Sequence, residues 1–319
     1  MTAPILGLHH VTATVADAQA DLDFAKEALG LRLVKKTVNF DNTGVYHFYY
    51  GDERGRPGTL WTTFPYKGMN VPEGVRGEGQ ITTTSFSVPE ASLPFWTARL
   101  RGRGIPVQDS VRFGEASLLA VDPSGLSIEL VGTSNDARAP WTGGSVPADK
   151  AVRGLHAVTL TVRAAKPTVD FIRSLFPAEV VADLALGPGG AAGRVRLAVG
   201  GTGPGHFVDI NHAEGMGPAQ NGLGTVHHVA FAIADHDAQL RLREELVRRE
   251  IRVTPVMDRQ YFRSIYFREP GGVLLEVATV DPGFAVDEPL AELGRGLKLP
   301  PWAEPKRADI AASLPKISY

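Results

Sequence analysis

The sequence predicts an α+β protein built from four copies of one βαβββ module. Three observations lead there. Two similar stretches, LHHVTATV at residues 8–15 and TVHHVAFAI at 225–233, each place a histidine pair at the start of a β-type alternation. Each is followed by a helical pattern and then by further strands, and the same order recurs twice between them, from GQITTTSFSV (79–88) and from GLHAVTLTV (154–162). The chain of 319 residues is 43% hydrophobic, enough for a packed core and for about two domains of roughly 100–200 residues each.

In the first module Asp17 is placed to cap a helix carrying Leu22, Ala25, Ala28 and Leu29 at helical spacing, and Gly30 ends it. TGVYHFYYGD and GTLWTTF then read as strands. The second module continues through a helix in ASLPFWTARLRGRG to strands in ASLLAVDP and GLSIELVG. The third has its helix in TVDFIRSLF and strands in GRVRLAVGG and GHFVDINHA. The fourth has a helix with Leu240, Leu246 and Val247 and ends in RSIYFREP and GGVLLEVAT. Residues 135–152 are rich in Pro, Gly and Ala and read as a linker between a domain at 1–134 and a domain at 153–282. Residues 283–319 lack the module pattern and are expected to pack over the surface as a tail.

A net charge of -2 offers no basic footprint for nucleic acid, and no apolar run approaches the roughly 20 residues that cross a membrane. MTAPILGLHH has no charged n-region or long apolar core, so a cytoplasmic location is expected. With no cysteine, disulfides, zinc–thiolate sites, iron–sulfur clusters and thiol nucleophiles are excluded. LGPGGAAGR (186–194) lacks the G-x-G-x-x-G spacing and reads as a flexible turn. Lys35–Lys36 reads as a solvated basic patch.

The repeat supplies its own alignment. His10 of module one and His228 of module four fall at the same place in the first strand, where modules two and three have Thr83 and Ala157. In the last strands Glu276 matches Glu129. Side chains alternate across a strand, so the apolar faces (Val11, Ala13, Val15; Val229, Phe231, Ile233) should meet the helices. His10 and His228 then face a cavity, and His9 and His227 sit at the strand starts near the other face. Glu276 is opposite Val273, Leu275 and Val277, where a carboxylate is costly unless it is paired or binds a cation. Two imidazoles and a carboxylate with open positions suit ferrous iron in oxygen chemistry, and the same set accepts Mn²⁺, Zn²⁺ or Ni²⁺. Glu129, without histidines beside it, reads as a structural or solvated carboxylate.

The βαβββ repeats with histidine on the first strand and glutamate on the last resemble the vicinal oxygen chelate superfamily, which includes glyoxalase I, extradiol dioxygenases and resistance proteins. LHHVTATVADAQADLDFAKEALGLRLVKKTVNFD, YHFYYGDERGRPGTLWTTFP, HHVAFAI and RQYFRSIYFREPGGVLLEVAT are similar to the hydroquinone-type ring-cleaving dioxygenases, and the tail LKLPPWAEPKRADIAASLP resembles the methylhydroquinone-linked group. The resemblance implies two glyoxalase-like domains with curved mixed sheets around a metal cavity. It implies Fe(II), with Mn(II) as a substitute, on His10, His228 and Glu276. It also implies supporting roles for His9, Thr12, His227, Arg259 and Tyr266. Of these, His227 is the acid–base candidate because imidazole titrates near neutrality, and Tyr266 and Arg259 would orient substrate oxygens. The expected partners are a small aromatic substrate and O₂, with homo-oligomer formation left open. The competing readings are a glyoxalase-like isomerase or lyase and a non-catalytic binder of aromatics or quinones. Glyoxalase I usually has a second glutamate ligand. The corresponding strand here offers Thr62, Thr63 and Phe64.

Overall fold

A computed structural model describes residues 4–184, 193–213 and 215–319, so most of LGPGGAAGR lies outside the described residues. The first strands of the four modules are β1 (Ile5–Val15), β5 (Gln80–Pro89), β9 (Gly154–Val162) and β13 (Thr225–Ile233). Each leads into a helix: α1 (Ala18–Asp23, continued by a wider π-type turn over Phe24–Ala28), α2 (Leu93–Arg101), α3 (Ala165–Leu175) and α4 (His236–Arg248). Asp17 caps α1 as its sequence position requires, its Oδ1 accepting from the N–H groups of Gln19 and Ala20 at 2.9 Å each. Gly30, at φ +72°, makes the left-handed turn that ends this helical segment.

Three strands complete each module. They are β2 (Arg32–Asn39), β3 (Asn42–Gly51) and β4 (Leu60–Pro65) in the first, and β6 (Val107–Arg112), β7 (Glu115–Val121) and β8 (Ser127–Thr133) in the second. The third has β10 (Ala178–Leu184), β11 (Arg194–Val199) and β12 (Phe207–His212), and the fourth β14 (Met257–Asp258), β15 (Arg263–Arg268) and β16 (Leu274–Thr279). They form two curved mixed sheets of eight strands, ordered β14-β15-β16-β13-β1-β4-β3-β2 and β10-β11-β12-β9-β5-β8-β7-β6.

The sheets do not follow the two halves of the chain. Residues 1–134 and 153–282 each give one module to each sheet, so spatial units and sequential halves interleave. The reason lies in the seams. β1 pairs antiparallel with β13, and β5 with β9, so the first strands of equivalent modules satisfy each other's edges across a local two-fold. The chain changes sheet twice, between β4 and β5 and between β12 and β13. These two crossovers lie against each other, with bridges Glu73–Leu223, Val75–Gln220 and Glu78–Pro218. The segment 135–152 is tied down by Arg138, which donates to the carbonyls of Gly58 (2.8 Å) and Leu155 (2.7 Å).

The residues expected to meet the helices (Val11, Ala13 and Val15; Val229, Phe231 and Ile233) all belong to the main apolar core. Gln239 of α4 is fully buried and donates to the carbonyls of Arg263 (2.7 Å) and Val277 (2.8 Å), locking the helix to β15 and β16. Asp21 of α1 is also buried. Its Oδ2 accepts from Thr63 (2.6 Å) and Tyr50 (2.8 Å), its Oδ1 has no partner among the described residues, and burial pushes the carboxyl up to about 7. A carboxyl raised in the folded state stabilises fully below its unfolded value near 3.8, and that contribution is lost as pH rises through about 7. Asp21→Asn is therefore expected to gain stability over the parent between pH 4 and 8, by up to roughly 4 kcal/mol. Urea unfolding at pH 5 and pH 8 checks this; a difference that does not grow with pH would refute it.

The tail runs through short helical turns and α5 (Arg307–Ser313). Phe284 inserts into a buried cluster with Tyr49, Tyr261 and Phe262. The expectation of a solvated patch at Lys35–Lys36 is corrected here. Lys35 on β2 is fully buried, and its Nζ lies 2.6 Å from both Asp287 and Glu288 of the tail. β2 reaches the tail side of the sheet at this point, so the charge is enclosed and paired.

Candidate metal centre

The seam between β1 and β13 places the candidate ligands. His10 faces Ala230 and Thr12 faces His228 across it, while β16 runs parallel to β13 with Glu276 opposite Ala230. All three ligand candidates are buried, Glu276 completely. Nε2 of His10 and Nε2 of His228 are 3.3 Å apart, and Glu276 Oε2 lies 3.3 Å from the first and 2.8 Å from the second. Donors about 2.1 Å from one ion and at right angles to each other stand about 3.0 Å apart. The triangle therefore has the size of one face of an octahedron, and these residues could hold a divalent metal. Among the described residues Glu276 Oε2, although close to both imidazoles, has no hydrogen-bond partner, while Ser264 donates to Oε1. Burial opposes charge on Glu276, but His10 and His228 beside it hold the carboxyl well below the usual range. Burial lowers His228 despite Glu276. A carboxylate and neutral imidazole are the protonation states a metal needs.

The histidine pairs explain each other. His9 Nδ1 lies 2.9 Å from His10 Nδ1, and His227 Nδ1 lies 2.7 Å from His228 Nδ1. With Nε2 aimed at the metal position, each ligand histidine can donate Nδ1–H to its neighbour, which sets its tautomer. Strict alternation would forbid this, since adjacent residues point to opposite faces. The register shows how it happens: between Leu8↔Phe231 and His10↔Ala230 the extra residue is His9, and between Thr12↔His228 and Ala13↔Val226 it is His227. Both are β-bulge residues, so the bulge re-aims them. Thr82 and His156 are bulged at the same places in the other sheet. The expectation that His9 and His227 sit near the opposite face is thereby corrected. So is the near-neutral titration of His227. Burial, then the neighbouring His228, pushes it down to about 3, and burial with His10 does the same to His9. At neutral pH both are neutral acceptors.

The three donors open onto a cavity of 290 Å³ lined by Thr12, His47, Tyr49, Phe64, Tyr66, Phe262 and Tyr266 among others. Arg259 Nε reaches the Tyr266 hydroxyl at 3.3 Å, and its Nη1 reaches Asp41 at the mouth, also at 3.3 Å. Burial works against its charge, but Tyr266 and Asp41 keep the guanidinium pKa raised, while burial and Glu276 push the Tyr266 phenol up. The Tyr266 ring stands edge-on to His228 at 5.6 Å. Arg259, Tyr266, Thr12, His9 and His227 thus all gather around the three ligands. Sequence reasoning did not single out Phe262 or His47, nor the aromatic walls Tyr49 and Tyr66. Phe262 packs against the rings of His9 (5.0 Å) and His10 (5.2 Å). Thr12 and His47 both line the cavity, and Thr62 links them by hydrogen bonds. Alignment of the hairpin before each last strand would have flagged His47, which stands where module four has Ser264.

The second sheet is an internal control. Opposite its first strands stand Glu129 (facing Ser85) and Asp209 (facing Thr159), the repeat positions of Glu276. On its first strands Thr83 and Ala157 stand in place of the two histidines. Ser85 (2.6 Å) and Ser117 (2.9 Å) donate to Glu129, and Arg196 grips Asp209 through two bonds of 2.7 and 2.9 Å. Glu129 is accordingly a buried structural carboxylate. Where the histidines are replaced, arginines and serines compensate the charge that a metal could neutralise in the first sheet.

Residues 154–277 match the Glyoxalase/Bleomycin resistance protein/Dioxygenase superfamily. The chain belongs to this superfamily and, within it, to the family of ring-cleaving dioxygenases. A Bacillus subtilis (strain 168) protein, MhqE, whose name assigns it provisionally to the ring-cleaving dioxygenases, is 39% identical over 98% of this chain and 99% of its own. The chlorohydroquinone/hydroquinone 1,2-dioxygenase of Sphingobium indicum is 38% identical over 93% and 92%. The crystal structure of a Bacillus subtilis protein, provisionally described as a dioxygenase, superposes with a TM-score of 0.92 at 39% identity over 98% of both chains. Glyoxalase I of Zea mays shares the fold at 13% identity, with a TM-score of 0.63 over 86% of this chain and 92% of that one.

Proposed function

We infer that the chain opens a hydroquinone-type aromatic ring with O₂, using Fe(II), or Mn(II) in its place, on His10, His228 and Glu276. The observation that carries this reading is the three-donor face at the closed end of an aromatic-walled cavity. The relative named for hydroquinone ring cleavage supports the substrate class. Thr62 occupies the repeat position of Glu276 and leaves the set at three protein donors, which favours a dioxygenase over a four-ligand glyoxalase. A cavity of about 150 Å³ already accepts benzene, so 290 Å³ holds one ring with substituents.

The ion, when bound, would acidify a phenol and relay electrons between an electron-rich ring and O₂. The chain's own residues do the rest. Phe262, Tyr49 and Phe64 offer faces and edges to the ring and exclude water. The Tyr266 hydroxyl, kept protonated, and the Arg259 guanidinium present donors to substrate oxygens. His9 and His227 accept from His10 and His228 and hold them in orientation; with Nδ1 so engaged and the ring neutral, His227, bordering the cavity, keeps its proton on Nε2 and is a hydrogen-bond donor there.

The test uses anaerobically purified protein loaded with Fe(II). Oxygen uptake and the near-ultraviolet spectrum are followed with hydroquinone, methylhydroquinone and catechol in parallel. One O₂ consumed per ring-opened product, with a para-diol preferred, is expected. No uptake with any of them, at one bound metal per chain, would sink the reading.

A further inference from the structure

His47, on β3, enters none of the roles above, yet it ends a hydrogen-bonded chain that starts in the cavity. Its Nε2 lies 3.0 Å from Thr62 Oγ1, which lies 2.8 Å from Thr12 Oγ1. The repeat identifies the position. Tyr49 faces Thr62 as Tyr266 faces Glu276 and as Leu119 faces Glu129. His47 therefore stands where modules four and two have Ser264 and Ser117, and module three has Arg194. Both serines donate to the last-strand carboxylate, Ser264 to Glu276 and Ser117 to Glu129 at 2.9 Å. In module one the last-strand oxygen is a hydroxyl, and the residue behind it is an imidazole.

That exchange changes what the chain can transmit. Burial holds His47 neutral, well below its usual range, so its ring carries one N–H. If Nε2 is bare, Thr62 donates to His47, Thr12 donates to Thr62, and Thr12 shows lone pairs to the cavity. If Nε2 carries the proton, every bond reverses and Thr12 offers its O–H to the cavity. An anionic oxygen in the cavity is stabilised only by the second arrangement. The ring is held between Tyr49 (centroids 4.0 Å, planes tilted by 35°) and Phe64 (4.1 Å, 39°), which restricts its rotation and keeps Nε2 toward Thr62. We propose that His47 is a positioning residue that holds the chain in one polarity, Nε2–H to Thr62 and Thr62 to Thr12, so that Thr12 donates to an anionic oxygen of the bound aromatic.

The inference rests on reading the cavity as a site for a phenolic ligand, and its test needs no turnover. On the Zn(II)-loaded protein, ¹⁵N NMR of the imidazoles reads which nitrogen of His47 is protonated, and titration with 4-nitrophenolate reads anion affinity. Nε2 protonated is expected. His47→Phe should bind 4-nitrophenolate about tenfold more weakly, the scale of one charge-assisted hydrogen bond. His47→Gln, whose amide N–H can donate to Thr62, should stay within about threefold of the parent. Zinc should remain at one per chain throughout. Thr62→Val, which cuts the same chain, carries the binding test if the phenylalanine variant does not fold. A bare Nε2, a His47→Phe variant that binds as the parent does, or a parent that does not bind the phenolate would each overturn the proposal. Its failure is separable from that of the dioxygenase reading. A parent that cleaves no ring yet shows the expected tautomer and affinities loses only the activity, and the reverse result loses only His47.

Discussion

His228→Ala is expected to take the protein from one tightly held divalent ion per chain to almost none and to lower ring cleavage roughly thousandfold or more. The argument is geometric. His10, His228 and Glu276 supply one donor each to a triangle with edges of 2.8–3.3 Å, and no fourth protein donor stands at the repeat position, which is Thr62. Losing one of three donors leaves a two-point site, and the several kcal/mol a metal contributes to charge stabilisation correspond to about three decades in rate. His227→Ala should be milder, with metal affinity down by about 10–100-fold, because it removes only the acceptor that orients His228. Glu129→Gln should leave metal content unchanged and affect stability alone. Metal analysis beside the oxygen-uptake assay distinguishes the three. Stoichiometric metal and full activity in His228→Ala would remove the triad from the function.

The cluster of candidate ligands was readable in the sequence because two independent constraints met. The repeat put His10 and His228 at equivalent places, and period-two alternation put both on the polar face with Glu276. Alternation failed at His9 and His227 because it assumes an unbroken ladder. A bulge shifts one residue across the sheet without leaving a sequence mark such as glycine, and here the bulged residues are histidines. Ligand candidates in modules one and four already require those two modules to meet around one cavity, and the pairing of β1 with β13 is how they do so. The inward position of Glu276 and the hydroxyl of Thr62 in place of a second glutamate could be read, and the same alignment carried one hairpin back reaches His47, which draws no notice by itself because histidine is not unusual in a strand. The near-neutral titration expected of His227 rested on the ordinary value of imidazole, which a sequence cannot correct for burial. Lys35 shows the same limit with the sign reversed. A lysine pair on a strand reads as solvent-facing, and only the return of the tail encloses it.

That enclosure leads to the second large effect. Lys35→Met should cost about 3–5 kcal/mol of stability, the usual result of removing one partner from a buried charge cluster. Lys35 is fully buried, and its ammonium is the cation shared by Asp287 and the buried Glu288. Methionine fills the volume but leaves two carboxylates facing each other. Glu288 also accepts from the N–H of Gly296 (3.2 Å), and Asp287 accepts from the hydroxyl of Tyr261 (3.0 Å), so neither can swing to water without releasing other contacts. The charge repulsion should therefore lift the tail from about residue 283 onward. Limited proteolysis would detect this before global unfolding. The triple change K35M/D287N/E288Q should recover most of the loss, since no unpaired charge remains. The consequence reaches the site through packing. Phe284, just ahead of the two acids, holds Tyr261 (ring centroids 4.9 Å apart) and Phe262, and Phe262 lies against His9 and His10. Lys35→Met should then raise KM for the aromatic substrate while metal content stays at one per chain. If urea unfolding of the single variant falls within about 0.5 kcal/mol of the parent, the scale of an ordinary surface change, the tail is held by Phe284 and its apolar neighbours alone, and the buried charges hold nothing in place.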